Sequence, residues 1–188
     1  MDTFSFVFSL FGLLMGLALA EVIGGFGTVL EMRHKIRIGW LSPLLALLIA
    51  FDLTSFWMVA WQIRESIPVN FLSLMVGLFV FGVYYLIAQL AFPDDHELWP
   101  DLDAYYWRHK RMLLGGMYTC NIVALTGQQI IGLNPFGDAN TMYALSAFTF
   151  AMAGAILLPG KWVNTAFLLL QIALYPLFAI IGIMGAGE

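Results

Sequence analysis

The chain of 188 residues is 61% hydrophobic and only 11% charged, with a formal net charge of −4 and a mean hydropathy of +0.87. Soluble domains are roughly 45–50% apolar and about 25% charged, so a water-soluble fold of this size has no means of hiding so much apolar surface. A single cysteine, Cys120, excludes an intramolecular disulfide and a CxxC metal or redox pair, and with no basic run longer than Arg108–Arg111 there is no electrostatic footprint for nucleic acid.

Apolar runs separated by polar breaks predict an all-α, polytopic transmembrane helical bundle of about six spans with short loops, forming a single integral membrane domain over residues 1–188. The first run, near 4–30, is long enough to tilt in the bilayer. Ala18-Leu19-Ala20 has the small residues of a signal-peptidase site, but Asp2 is the only charge before Glu21, so no basic segment precedes the run and it reads as an uncleaved span. The second span, near 41–63, contains Asp52, Thr54 and Ser55, and the third, near 70–91, contains Gln89. Between the third span and the fourth, near 110–132, lies the one sizeable loop, residues 92–109, reading FPDDHELWPDLDAYYWRH. It reads as an interfacial acidic and aromatic connector, with Asp101 and Asp103 after Pro100 at the positive end of a short helix. The fourth span carries Asn121, Thr126, Gln128 and Gln129. The fifth, near 142–158, is short and stops at Pro159-Gly160; the sixth, near 162–186, carries Gln171 and is interrupted by Pro176.

Lys and Arg near span ends set orientation, because cytoplasmic loops carry their excess. Arg33, Lys35 and Arg37 lie in the first loop, Arg108, Lys110 and Arg111 in the third and Lys161 in the fifth, leaving Arg64 alone in the second. Both termini are therefore expected on the non-cytoplasmic side, in a membrane of the bacterial inner (plasma) type. Trp40, Trp61, Trp99, Tyr105, Tyr106, Trp107 and Trp162 fall near span ends and read as interfacial anchors.

Two carboxylates fall inside the predicted spans, Glu21 and Asp52. A charge at mid-bilayer costs about 2.5–3.5 kcal/mol on insertion scales, so such groups face a bundle interior or a wet cavity. Glu21 lies about nine residues before the end of the first span and Asp52 about eleven after the start of the second, which puts both roughly 14–17 Å from the same side. Consecutive antiparallel spans pack as neighbours, and Gly12, Gly16, Ala20 and Gly24 form a small-residue ridge beside Glu21, so a carboxylate pair at this interface is the expectation. Two such acids in low dielectric do not both ionise without a cation, which points to proton or cation handling by Glu21 and Asp52, with Ser55 one turn from Asp52. Thr54, Gln89, Asn121, Gln128 and Gln129 form a secondary polar path; interhelical hydrogen bonding is the plainer reading of the amides.

No metal site and no cofactor are expected. His34, His96 and His109 show neither HExxH nor a close Cys/His array, no histidine lies at depth to hold haem, and no lysine lies inside a span to hold retinal. The GxSxG elbow, the GxxxxGK[ST] loop and the TVGYG filter are absent, so an enzyme is the less favoured class. The functional expectation is a small membrane channel or transporter passing protons or small cations through a path involving buried carboxylates. Its rival is a non-catalytic accessory or scaffold subunit of a larger membrane complex. The partners expected are the lipid bilayer, protons or small cations, and either further copies of the chain in a homo-oligomer or a larger membrane complex, with no nucleic acid.

Overall fold

The computed structural model describes residues 3–137 and 139–185, with side chains over 8–137 and 139–180. The described residues form six helices: α1 Thr3–Glu31, α2 Leu41–Gln62, α3 Phe71–Gln89, α4 Leu102–Ile130, α5 Ala139–Leu157 and α6 Lys161–Gly185. Each overlaps one of the six predicted runs, with α4 beginning eight residues before the fourth, near 110–132; the expected end of the sixth at residue 186 lies outside the described residues. Five helices are long and apolar enough to cross a membrane, with mean hydropathies from 1.3 to 2.2. The chain is an integral membrane protein built as a helical bundle. The remaining helix, α4, has 29 residues, but its first turns carry Asp103, Arg108, His109, Lys110 and Arg111.

That composition corrects the picture of a separate interfacial helix after Pro100. Asp101 is the N-cap of α4 itself, its carboxylate accepting from Asp103 N–H at 2.9 Å and Ala104 N–H at 3.4 Å. The capped turn then runs without a break into the membrane helix, because no proline or glycine interrupts Leu102–Leu114. Only the first part of the 92–109 connector remains a loop.

Helix α2 is the centre of the bundle, touching α1, α3, α4 and α6, while α5 lies against α4 and α6. Helix α1 packs mainly on α3 and only secondarily on α2. This overturns the expected role of the α1 small-residue ridge: Gly12 meets Trp57 of α2, but Gly16 and Gly24 face open space. The close approach is made elsewhere, by the Phe11 ring of α1 seated on Gly77 of α3, where any Cβ would overlap it. A ring against a bare backbone fills the seam better than two smooth small-residue faces.

The three connections α1–α2, α3–α4 and α5–α6 meet at one end of the bundle and are tied together by polar contacts. Arg37 N–H donates to Pro100 O at 2.8 Å and Leu102 N–H to Arg37 O at 3.0 Å, an isolated parallel bridge between residues 37 and 101. The N-terminus of α2 has no side-chain cap of its own. Asp103 of α4 supplies one across the bundle, its Oδ1 accepting from Trp40 and Leu41 N–H at 3.1 Å each, while its Oδ2 pairs with Lys161 Nζ at 2.6 Å. Gly39 permits this, with φ +66° and no room for a Cβ beside the Asp103 carboxylate.

A second tie closes the same end. Lys110 of α4, 5% exposed, donates to the carbonyls of Ala155 at 2.7 Å and Leu158 at 2.9 Å at the end of α5, and to Asn164 Oδ1 at 3.0 Å. Tyr106 O–H donates to the same Asn164 oxygen at 2.9 Å. A cation on the last carbonyls of a helix satisfies orphan acceptors and the negative end of its dipole together.

Candidate functional site

Helix α2 is apolar along almost its whole length, so the one carboxylate it carries needs partners from the helices around it. Asp52 is 1% exposed and finds them on three. Tyr84 of α3 donates its hydroxyl to Oδ2 in a short hydrogen bond, Asn121 Nδ2 of α4 donates to the same oxygen at 3.0 Å, and the Tyr175 hydroxyl of α6 donates to Oδ1 at 2.8 Å. Asn121 is itself fixed, its amide also reaching Met117 O at 3.0 Å and the Tyr84 hydroxyl at 3.2 Å. Edge-on contact with Phe56, centroids 5.2 Å apart, packs the Tyr84 ring, and Phe51 flanks Tyr175 at 6.0 Å.

Among the described residues no lysine, arginine or histidine pairs with Asp52. Desolvating a carboxylate costs several kcal/mol even after relaxation, and each hydrogen bond to a charged group returns about 1.5–3 kcal/mol. Three donors thus offset much of the penalty of an ionised Asp52 while leaving its charge unbalanced. The partners also suit the neutral acid, since a phenol oxygen that donates to a carboxylate accepts from a carboxylic acid by rotating its hydrogen alone. The cluster is therefore able to hold Asp52 with or without its proton, and with or without an external cation.

Asp52 lies on the wall of a cavity of about 1030 Å³ between α2, α4, α5 and α6, which reaches Gln62 at the end of α2 and Phe136 in the α4–α5 connection. Toward the tied end Leu45, Leu48 and Ile49 of α2, Leu113, Leu114 and Met117 of α4 and Leu168 of α6 are fully buried, so among the described residues the open space beside Asp52 lies on the Gln62 and Phe136 side.

Glu21 is not part of this cluster. It is exposed on α1 and lines a different, smaller cavity of about 280 Å³ with Gln89, Asp94 and His96, beside the α3–α4 connection. The expected Glu21–Asp52 pair does not form because α1 turns toward α3, which carries Glu21 away from the α2 face that holds Asp52. Ser55 and Thr54 line the Asp52 cavity, but their hydroxyls donate to backbone carbonyls of α2, Ser55 to Asp52 O at 2.7 Å and Thr54 to Ala50 O at 2.8 Å. Gln89 Nε2 donates to Tyr85 at 2.9 Å. Gln128 and Gln129 sit in the last turn of α4, where their backbone carbonyls accept from Leu133 N–H at 3.0 Å and Gly132 N–H at 3.2 Å. Of the polar residues read from the sequence, Asn121 is the one that reaches the Asp52 carboxylate from another helix, while Ser55 lies beside it on α2.

Tyr84 and Tyr175 were not expected in the site from the sequence, where only the tyrosines near span ends stand out. The signal was available: both lie well inside apolar runs, away from the interfacial belts where an amphipathic ring needs no partner, and a buried phenol requires one. Comparison with family models, with curated proteins and with solved structures finds no match to this chain.

Proposed function

We propose that the protein is a small membrane transporter or channel that binds and passes protons or small cations at Asp52, in a bacterial-type inner membrane with both termini outside. The observation that carries this reading is the uncompensated Asp52 carboxylate, 1% exposed, bonded by side chains of three other helices and bordering an open cavity. A purely structural fastening has no need of a cavity beside it. Apolar residues in place of the whole set, Asp52, Tyr84, Asn121 and Tyr175, would hold these helices together as well, at no desolvation cost. Glu21 has no part in the step, because it neither faces the cavity nor contacts the cluster.

The test is pH- or cation-driven flux in proteoliposomes, comparing wild type, Asp52→Asn and Glu21→Gln. Asp52→Asn keeps the shape and most of the hydrogen bonding while removing the titratable charge, and it is expected to abolish flux; Glu21→Gln is expected to preserve it. Equal flux in wild type and Asp52→Asn would end the transport reading and return the chain to the accessory-subunit class.

A further inference from the structure

A proton needs no space, and a small metal cation needs several oxygen ligands close around it. The cavity beside Asp52 offers the opposite. Its volume of about 1030 Å³ is at the upper end of the roughly 300–1,000 Å³ range of sites for drug-sized molecules. Its walls are mainly apolar and aromatic, with Phe51, Met58, Phe136, Phe148, Leu174 and Phe178 among them. Among the described residues, the only charged group on the wall is Asp52. Apolar walls favour hydrocarbon at about 25 cal/mol per Å² removed from water, ring faces attract a desolvated positive charge, and an unbalanced carboxylate selects a cation over a neutral molecule of the same shape.

Resting on the reading of Asp52 as the proton- or cation-binding group, we propose that the cavity takes a lipophilic organic cation, whose charged centre pairs with the Asp52 carboxylate while its hydrocarbon groups lie against the aromatic walls. Cation and proton then compete for one carboxylate. Binding to the protonated site displaces one proton, which leaves to the aqueous phase at the Gln62 and Phe136 end of the cavity. The groups that face Asp52 are Tyr84 from α3, Cys120 and Asn121 from α4, Tyr175 from α6 and Ser55 on its own helix. Helix α1 contributes none, its Glu21 lining the other cavity. All the groups around Asp52 are neutral side chains, so no internal cation substitutes for the ligand.

The probe is tetraphenylphosphonium, with triphenylphosphine oxide as a neutral relative, titrated into the full chain in detergent micelles. Heat of binding and proton release into a weakly buffered medium are the readouts. Wild type is expected to bind tetraphenylphosphonium saturably, to release up to one proton per cation on the acid side of the transition, and to bind the neutral relative at least about tenfold more weakly. Asp52→Asn is expected to abolish proton release and to weaken cation binding at least about tenfold. A second variant, Ala144→Trp, adds bulk to the cavity wall on α5 and is expected to weaken cation binding at least about tenfold while leaving the Asp52 carboxylate itself in place. Absence of saturable binding, equal binding of the two probes, or undiminished binding by Asp52→Asn would overturn the assignment. Asp52-dependent proton flux alongside any of these would leave the transport reading standing; loss of that reading shows instead as equal flux in wild type and Asp52→Asn.

Discussion

Tyr175 on α6 donates its phenolic hydrogen to Asp52 on α2 at 2.8 Å, across 123 positions of the chain. Tyr175→Phe keeps the ring against Phe51 and removes only this donor. It is expected to cost about 1–3 kcal/mol of stability, read as a lowered unfolding midpoint in detergent. In an Asp52→Asn background the same change is expected to cost less, because no charge is left to satisfy. An equal loss in both backgrounds would show that the hydroxyl does not act through Asp52.

Gly39 and Asp103 form a lock in which the glycine makes room and the carboxylate caps α2. Gly39→Ala places a Cβ at φ +66° and against the Asp103 carboxylate, and is expected to destabilise by about 1–3 kcal/mol. Asp103→Ala, which leaves the α2 N-terminus without a cap, is expected to cost about 1–2 kcal/mol. The double variant is expected to fall short of the sum, since removing the carboxylate removes the obstacle. Thermal unfolding of the four proteins completes the cycle.

Lys110→Met retains the aliphatic stem and withdraws the three donors that hold Ala155 O, Leu158 O and Asn164 Oδ1. Leu158 O keeps Asn164 Nδ2 at 2.8 Å and Asn164 Oδ1 keeps the Tyr106 hydroxyl at 2.9 Å, so the main loss is at Ala155 O. A buried acceptor left without its donor costs about 1–3 kcal/mol, and this variant is expected to be destabilised by about that much. Lys161→Met, by contrast, breaks a pair that is partly exposed on the lysine side only and leaves the buried Asp103 its two N–H donors, so it is expected to cost about 1 kcal/mol. A midpoint for Lys110→Met no lower than that for Lys161→Met would show that the α5 cap is not a main fastening.

Cys120 is buried, so the unmodified chain is expected to react little with a membrane-impermeant maleimide. Single cysteines at Glu65, in the α2–α3 connection, and at Asp94, in the α3–α4 connection, report the two ends of the bundle. With the arginine and lysine asymmetry as guide, Glu65→Cys is expected to label in intact cells and Asp94→Cys only after permeabilisation. The reverse pattern would invert the protein.

Element existence was written in hydropathy. All six helices lie where apolar runs lie, because a span must satisfy its backbone internally and therefore has to be a continuous helix. Partner choice was not written there. A helix such as α1 is apolar all round, with Leu13, Leu17 and Ile23 exposed as freely as Met15 and Ala18 are buried, so its periodicity does not say which side meets α3. The expected pairing of Glu21 with Asp52 failed for this reason. Asp52 was legible as a residue that must be buried and bonded, since a carboxylate eleven residues into an apolar run has few alternatives. Its partners were not, because Tyr84, Asn121 and Tyr175 lie 32, 69 and 123 positions away and no local spacing links them. Lys110 sat at the edge of a predicted span and looked like a headgroup contact. Its burial depends on where α5 ends, a feature of the tertiary fold alone.

The long reach of the Asp52 cluster has a bearing on synthesis. When α2 enters the bilayer, none of the three side chains that will satisfy Asp52 has yet joined it there; Tyr84 arrives with the next helix, Asn121 with the one after, and Tyr175 only with α6. Until then the nascent chain carries a carboxyl group with an incomplete set of partners in hydrocarbon, a state that favours its neutral form and loose association of the early helices. A chain stopped before α6 would keep that defect permanently and expose it to quality-control proteases. The Asp52 cluster is thus complete only once α6 has joined the bundle.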